Sequence, residues 1–289
     1  MSFCKKSAMI NNYCDLHTHS VYSDGSYTPS ELIKEAEVLG LSAIALCDHN
    51  TADGLPHFLR AAEGKKIKAV AGVEFSADLS GTELHLLGLY VKEEYFSQIA
   101  ELMNGVLVLK EESNLALIDS LKRAGIYLDY GEIKAKTPNG RVNRAHIAAA
   151  LTEKGYVASI KEAFRSYLSK SGGFYTEPRR LTLWELIDFI RSIGALPVLA
   201  HPLLNLEPKE LSELLPKAKA AGLRGMECLY SEYRKEEIAL SMELARENGL
   251  LPSGGSDFHG TNKPHISLGR GKGDLLVPAE WERNLSLAI

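Results

Sequence analysis

Asp15-Leu16-His17-Thr18-His19 closes the first short apolar run of the chain, residues 12–17. In extended backbone, residues two apart face the same way, so the His17 and His19 imidazoles can meet one ion. The pattern returns along the chain. Asp48-His49 ends a second β-like run (41–46), Glu74 ends a third (68–75) and His85 sits in a fourth (84–91). His201 follows the run 195–200, and Asp257-Phe258-His259 closes the run 250–256. With 223–230 there are seven such runs.

Amphipathic helical stretches separate many of them. Thr28-Pro29-Ser30-Glu31 supplies an N-cap, a proline at the first helical position and a capping-box glutamate, and Gly40 stops that helix. Thr182 and Glu185 repeat the spacing ahead of the apolar stripe Leu183, Leu186, Ile187 and Ile190. Strands alternating with helices imply βα units and a mainly parallel sheet, open or closed into a barrel. The alternation fails over 93–180, which reads as helix at 94–124, 143–154 and 160–169, with loop signals at Thr137-Pro138-Asn139-Gly140 and Ser171-Gly172-Gly173. The expected organisation is therefore a barrel in two parts, 10–92 and 181–289, with a helical insertion at 93–180 that caps the substrate.

The 289 residues carry 33 Lys+Arg against 37 Asp+Glu, a formal net charge of −4, which argues against a broad surface for duplex nucleic acid. At 45% hydrophobic and 24% charged, the chain is neither disordered nor fibrous. No apolar run reaches the roughly 18 residues of a membrane span, and Asn11 and Asn12 interrupt any signal-like segment after Lys5 and Lys6. Cys4, Cys14, Cys47 and Cys228 show no CxxC spacing and read as reduced thiols. A cytoplasmic protein is expected.

In a β/α barrel the strand C-termini share one rim, and the rim carries the active site. That brings His17, His19, His49, His201 and His259 together with Glu74 and Asp257. His85 is a sixth histidine, and Asp24 can fold back to the same place. Burying so many imidazoles and carboxylates without a cation is costly. Mixed His/Asp/Glu ligation suits Mn²⁺, Fe²⁺ or Zn²⁺ rather than an all-oxygen cage, and more than four ligands imply more than one ion.

As a set, His17-x-His19, Ser23-Asp24-Gly25, Asp48-His49, Glu74, His85, His201-Pro202 and Gly255-Ser256-Asp257-Phe258-His259 resemble the PHP (polymerase and histidinol phosphatase) superfamily. Their order looks most like its stand-alone phosphoesterases, among them nucleoside 3′,5′-bisphosphate phosphatases. The resemblance implies an α/β fold: a distorted seven-stranded β/α (TIM-like) barrel with a helical insertion domain. It implies two or three divalent ions, Mn²⁺ favoured and Zn²⁺ or Fe²⁺ as substitutes. His17, His19, Glu74 and Asp257 would hold the first; Glu74, His85 and His201 the second; Asp24, His49 and His259 the third. Asp15 and Asp48 are read as supporting residues. Cys47 stands where the family commonly has Thr, which alters oxidation sensitivity and removes no ligand.

The same resemblance turns Arg144-Ala145-His146 from an ordinary helix start into the element that holds substrate phosphate. A guanidinium suits that task because it offers a bidentate fork to phosphoryl oxygens. Arg141 and the Arg179-Arg180 pair are weaker neighbours, His57 reads as peripheral, and His265 and Glu227 as rim residues without an assigned role. The expected enzyme is a phosphoric ester hydrolase in which Glu74, Asp257 and His259 take part in catalysis. A metal-bound hydroxide attacks phosphorus in line, with the proton for the leaving oxygen coming from water or the neighbourhood of His259. A nucleoside 3′,5′-bisphosphate or mononucleotide leads as substrate, ahead of 5′–3′ removal of nucleotides from short RNA and cleavage of a cyclic phosphodiester. The rival outside the enzyme class is a metal-stabilised structural module. Oligomeric state is not legible.

Overall fold

A computed structural model describes residues 12–137, 142–169 and 172–289. Cys4, Arg141 and the loop residues Pro138, Asn139, Gly140 and Ser171 lie outside the described residues. The chain divides into two compact units, one formed by Met1–Glu101 with Leu181–Ile289 and the other by Leu102–Arg180.

The first unit is built on a nearly closed, barrel-shaped sheet of eight strands in the order β7-β6-β5-β4-β3-β2-β1-β8. The strands are β1 (Tyr13–Thr18), β2 (Ala43–Leu46), β3 (Lys68–Leu79), β4 (Thr82–Leu89), β5 (Leu196–Ala200), β6 (Gly225–Tyr230), β7 (Leu251–Gly255) and β8 (Val277–Pro278). All seven runs seen in the sequence form strands; β8 is an addition of two residues, antiparallel to β1. The sheet also departs from a mainly parallel order in one place. β3 continues past Phe75 to Leu79 and turns back into β4, which is antiparallel to both β3 and β5. Ser80 and Gly81 make that turn at φ 53° and 96°, the paired positive values of a tight hairpin loop. The run read from the sequence ends at Phe75, and the polar/apolar alternation Ser76-Ala77-Asp78-Leu79 carries the strand on to the reversal.

Helices α1 (Pro29–Leu39) and α7 (Leu183–Ser192) begin with the capping boxes expected at Thr28/Glu31 and Thr182/Glu185, and Gly40 ends α1 in left-handed backbone at φ 71°. Alternate residues of neighbouring strands, Cys14 and Leu16, Ala43 and Ala45, Leu87 and Leu89, Leu196 and Val198, share one buried cluster. Cys47 belongs to it, fully buried, with burial pushing its thiol pKa up. A buried, protonated thiol is a poor target for oxidants, so the oxidation sensitivity expected at this position is not supported.

The second unit carries the C-terminal part of α3 (Phe96–Arg123), then α4 (Tyr130–Lys136), α5 (Arg144–Glu153) and α6 (Ile160–Ala163), the last running into a π-helical turn at Phe164–Leu168. α4, capped by Asp129, escaped the sequence reading because seven residues are too few for a visible apolar period. This unit has its own core, with Leu117, Leu121, Ile133, Ile147, Leu151 and Leu168 at its centre. No helix among the described residues is long and apolar enough to cross a membrane.

Closure of the barrel depends on β1 approaching the end of β7. The Asp257 and His19 amides donate to the carbonyls of His17 and Phe258, each at 2.9 Å. Buried Asp15 accepts from the Ser256 amide (2.8 Å), the Ser256 hydroxyl (2.5 Å) and the Gly269 amide (2.7 Å). The strands come so close that a Cβ on Gly255 would lie 2.4 Å from the His17 Cβ and 2.5 Å from its amide nitrogen. Gly255→Ala must therefore separate the two strands, and we expect it to cost about 3 kcal/mol or more in urea unfolding, at or above the usual overpacking range. Gly105, exposed in α3 with nothing within 4 Å of a built Cβ, is the matched control; Gly105→Ala should stabilise by about 0.5–1 kcal/mol. Equal effects at the two positions would show that the close approach does not constrain the barrel.

Candidate metal centre

The strand ends deliver their polar side chains to one place because the backbone stays hydrogen-bonded beyond the strands. Glu74 and Asn50 amides donate to the carbonyls of Asp48 and Glu74, which tie the ends of β2 and β3. Two of the converging residues sit in left-handed backbone rarely adopted by side-chain-bearing residues, Asp257 at φ 55° and His201 at φ 26°. Such positions cost on the order of 1–3 kcal/mol and persist only when their surroundings hold them. Here the Asp257 amide is held by the His17 carbonyl, and the His201 amide donates to Glu227 Oε2 at 2.9 Å.

Glu74 is the hub. Its Oε2 lies 3.2 Å from His17 Nε2, 3.3 Å from His19 Nε2 and 3.1 Å from His49 Nδ1. Its Oε1 lies 2.8 Å from His85 Nδ1 and 3.1 Å from His201 Nε2. Asp257 Oδ1 joins on the β1 side, 3.0 Å from His19 Nε2 and 3.7 Å from His17 Nε2. Asp24 folds back from the loop after β1, with Oδ2 3.2 Å from His259 Nε2 and 3.8 Å from His49 Nε2. Four groups offer ligand atoms within 4.8 Å of one another: His17, His19, Glu74 and Asp257; His19, Asp24, His49 and His259; His49, Glu74 and His85; and His17, His201 and Glu227.

The nitrogen each imidazole presents is set by what its other nitrogen touches. His17 Nδ1 lies 3.0 Å from Glu227 Oε1, and His259 Nδ1 lies 2.8 Å from the Asp257 carbonyl. Both partners only accept, so these Nδ1 atoms carry protons and both Nε2 atoms face the cluster, where they are the nitrogens an ion would meet. Tyr230 and Lys263 engage Asp257 Oδ2 at 2.9 and 2.8 Å, which leaves Oδ1 for the centre.

Whether cations fit here is answered by the polar atoms that remain. Nine buried side-chain N or O atoms among the described residues have no hydrogen-bond partner, and seven belong to this cluster: His17 Nε2, His19 Nδ1 and Nε2, Glu74 Oε2, His85 Nδ1, His201 Nδ1 and His259 Nε2. Buried polar groups are otherwise almost always paired. A mixed nitrogen and carboxylate donor set of this size fits divalent transition-metal ions. Charge is coupled across the cluster. Burial is the largest influence on Glu74 and works to raise its pKa, but the His17 charge and the close imidazoles of His19 and His201 outweigh it and hold the carboxyl well below its usual range. For His19 burial opposes protonation, yet Asp257 and Glu74 carry the imidazole up to about 9, and Glu74 and Glu83 do the same for His85. His49, desolvated and beside two other imidazoles, falls to about 4.

Arg144 and His146 belong to the second unit. Arg144 donates from Nη1 to the Leu168 carbonyl at 3.0 Å and lies 4.4 Å from the Tyr175 ring centre. His146 Nδ1 accepts the Asn143 amide at 3.1 Å, closing a capping box at the start of α5. Arg180 pairs with Glu177 at 3.1 Å. His265 is exposed, 3.6 Å from Glu232, and His57 stacks on Tyr22 away from Glu74's immediate neighbours. Asp48 accepts from the Ser20 amide, the Ser20 hydroxyl and the Ser23 hydroxyl and so fixes the loop that carries Asp24. Sequence reasoning gave Glu227 no task and missed Tyr230 and Lys263. Tyr230 ends β6 and was open to the strand-end argument, whereas Lys263 lies in a loop with no pattern to flag it.

The family model for the PHP domain matches residues 15–187. The chain is 33% identical to a 5′-3′ exoribonuclease of Haemophilus influenzae, with 85% of this chain and 89% of that protein aligned. It is 32% identical to a phosphoribosyl 1,2-cyclic phosphate 1,2-diphosphodiesterase of Eggerthella lenta, over 88% of this chain and 97% of that one. A 3′,5′-nucleoside bisphosphate phosphatase of Chromobacterium violaceum is 28% identical, over 85% and 86%. Among solved structures, an amidohydrolase from Chromobacterium violaceum with bound sulfate and no metal superposes with a TM-score of 0.64 at 27% identity, covering 88% of this chain and 91% of that one. A family model spanning more than half of the chain, and relatives aligned over most of their length, leave one conclusion: the chain belongs to the PHP domain family and is a metal-dependent phosphoric ester hydrolase.

Proposed function

We propose that the chain hydrolyses a phosphate ester on the ribose of a nucleotide, a nucleoside 3′,5′-bisphosphate or mononucleotide being favoured, with two or three divalent ions for which Mn²⁺ is the best match. The observation that carries this reading is the convergence of seven buried, partnerless nitrogen and oxygen atoms around Glu74. Each costs roughly 1–3 kcal/mol if left unpaired. His17, His19, Glu74 and Asp257 would hold one ion, Glu74 with His85 and His201 a second, and Asp24, His49 and His259 a third. When bound, the ions supply a water acidic enough to act as nucleophile near neutral pH and positive charge against the phosphoryl oxygens.

The chain's own residues set the geometry of that reaction. Glu74 turns one carboxylate oxygen to each side of the cluster, so a single side chain would link two ions. Glu227 and the Asp257 carbonyl keep His17 and His259 in the tautomer that offers Nε2. Arg144 and His146 are assigned to substrate phosphate, Arg144 because its planar fork matches two phosphoryl oxygens. A 3′-phosphate ester on a 5′-phosphorylated ribose is common to a nucleoside 3′,5′-bisphosphate and to the first linkage of a 5′-phosphorylated RNA. One scissile bond would therefore serve the reactions named for two of the relatives. The cyclic phosphodiesterase relative, at 32% identity, favours a second reading in which a cyclic ribose phosphate is opened.

The deciding assay loads purified protein with Mn²⁺, counts the metal, and follows phosphate and nucleotide release. Its substrates are adenosine 3′,5′-bisphosphate, AMP, cyclic AMP and a 5′-phosphorylated oligoribonucleotide. We expect two or three ions per chain and turnover of the bisphosphate; in the same assay Arg144→Ala raises KM at unchanged metal content. Full occupancy without turnover of any of the four would overturn the substrate class. Proton uptake gives a check that needs no activity. His19 and His85, both near 9, are protonated at pH 7 in the metal-free cluster and must lose those protons to bind an ion. Mn²⁺ added at pH 7 in weak buffer should release protons, release should shrink as the pH is raised through 9, and Tm should rise with free metal concentration. Glu227→Gln removes the charge behind His17 and should weaken metal binding by about 10- to 100-fold with the fold intact. Unchanged affinity in that variant would leave Glu227 with only its bond to the His201 amide.

A further inference from the structure

The loop that carries Asp24 also borders a small cavity, about 250 Å³, that the reaction above does not use. Val21, Tyr22, Thr28, Pro29, Ser30 and His57 line it. Two of these are apolar side chains left at the surface, Val21 at 49% and Tyr22 at 38% exposure. The Tyr22 and His57 rings stack with centres 5.6 Å apart and planes 21° from parallel. Tyr22 is also braced from below: a Cβ on Gly54 would stand 3.1 Å from its Cδ2, so the ring occupies space that only glycine leaves open.

The loop that presents Tyr22 is the loop that presents Asp24. Its backbone is closed by the Val21 amide on the Tyr27 carbonyl (2.9 Å) and the Gly25 amide on the Ser20 carbonyl (2.9 Å). Ser20 and Ser23 are both anchored on Asp48. Two peptide units separate Tyr22 from Asp24, at most about 7.6 Å between their Cα atoms. A group stacked on Tyr22 would thus sit on the same short loop that holds Asp24 beside His259.

Charge decides what that group is. The cavity borders the N-terminus of α1, but its exposed cap is already filled, because Glu31 accepts from both the amide and the hydroxyl of Thr28 at 2.8 Å. A second phosphate would meet this carboxylate. The volume is below the roughly 300–1,000 Å³ of a site for a whole ligand, which suits one ring system. We propose that the cavity is a nucleobase subsite, in which an uncharged purine or pyrimidine stacks on the Tyr22–His57 pair with its edge toward the Ser30 hydroxyl. This rests on the reading of the substrate as a nucleotide, and it adds which side chains recognise its base.

The test compares adenosine 3′,5′-bisphosphate with its abasic analogue on Mn²⁺-loaded full-length protein. Base–aromatic stacking predicts that Tyr22→Ala lowers the ratio of kcat/KM for the nucleotide over the abasic analogue by roughly 5- to 100-fold, mainly through KM. Tyr22→Phe, which keeps the ring, should hold the ratio within about twofold of wild type. Binding is read without turnover from Tyr22→Trp, whose added indole fluorescence should be quenched by the nucleotide and not by the abasic analogue. An unchanged ratio in Tyr22→Ala, or equal quenching by both compounds, overturns the subsite while the hydrolase reading stands. Selective quenching without hydrolysis of either compound supports the subsite and overturns the choice of substrate instead.

Discussion

A single buried carboxylate with five imidazoles around it is the constraint from which the rest follows. Glu74 is fully buried, and burial alone would neutralise it; the surrounding histidines keep it charged. Those histidines come from β1 and the residue just past it, from within β4 and from just past β2 and β5, so the hub exists only if the barrel brings these four strands to Glu74 inside β3. This explains why β1 and β7 are pressed together until Gly255 has no room for a side chain, and why the left-handed backbone at Asp257 and His201 is tolerated. Each of those features is locally unfavourable. Each places a donor that cannot be reached from a relaxed strand.

The surroundings of the hub show the same economy. Asp257 uses Oδ2 for Tyr230 and Lys263 and keeps Oδ1 for the centre, and Glu227 splits its two oxygens between the His17 ring and the His201 amide. A carboxylate with one oxygen committed elsewhere cannot rotate without losing a buried hydrogen bond. The donor atoms are therefore oriented before any ion arrives, which is what a high-affinity polynuclear site needs.

Much of this was legible in the chain because period-two geometry and strand-end position are properties of sequence. The seven strand runs, the capping boxes at Thr28 and Thr182, and the convergence of His17, His19, His49, His85, His201 and His259 on Glu74 and Asp257 could all be read from spacing or resemblance. The β3–β4 reversal was not, because its turn Ser80-Gly81 lacks an Asn-Gly or Asp-Gly signal. Nor was Lys263, which lies in a loop, and although Tyr230 stands at a strand end its role depends on which oxygen of Asp257 it meets. Glu227 was visible as a strand residue, but its task lies in a 3.0 Å contact with a histidine 210 positions away. Long-range pairing of that kind leaves no local trace.

The loop between β1 and α1 joins these two kinds of information. Its Ser-Asp-Gly core is the recognisable part, and Asp24 is the most exposed member of the cluster, with 54% of its side chain open to solvent. Asp24 is also the residue whose position depends least on the barrel, since it is tied in through Asp48's bonds to Ser20 and Ser23 and through the Asn262 side chain on its carbonyl. Tyr22 rides on the same short segment. Whatever moves this loop moves the Asp24 carboxylate and the Tyr22 ring together. On the proposed base subsite, substitution at positions 21 and 22 would change specificity without disturbing the inner donors, which are fixed by strands rather than by the loop.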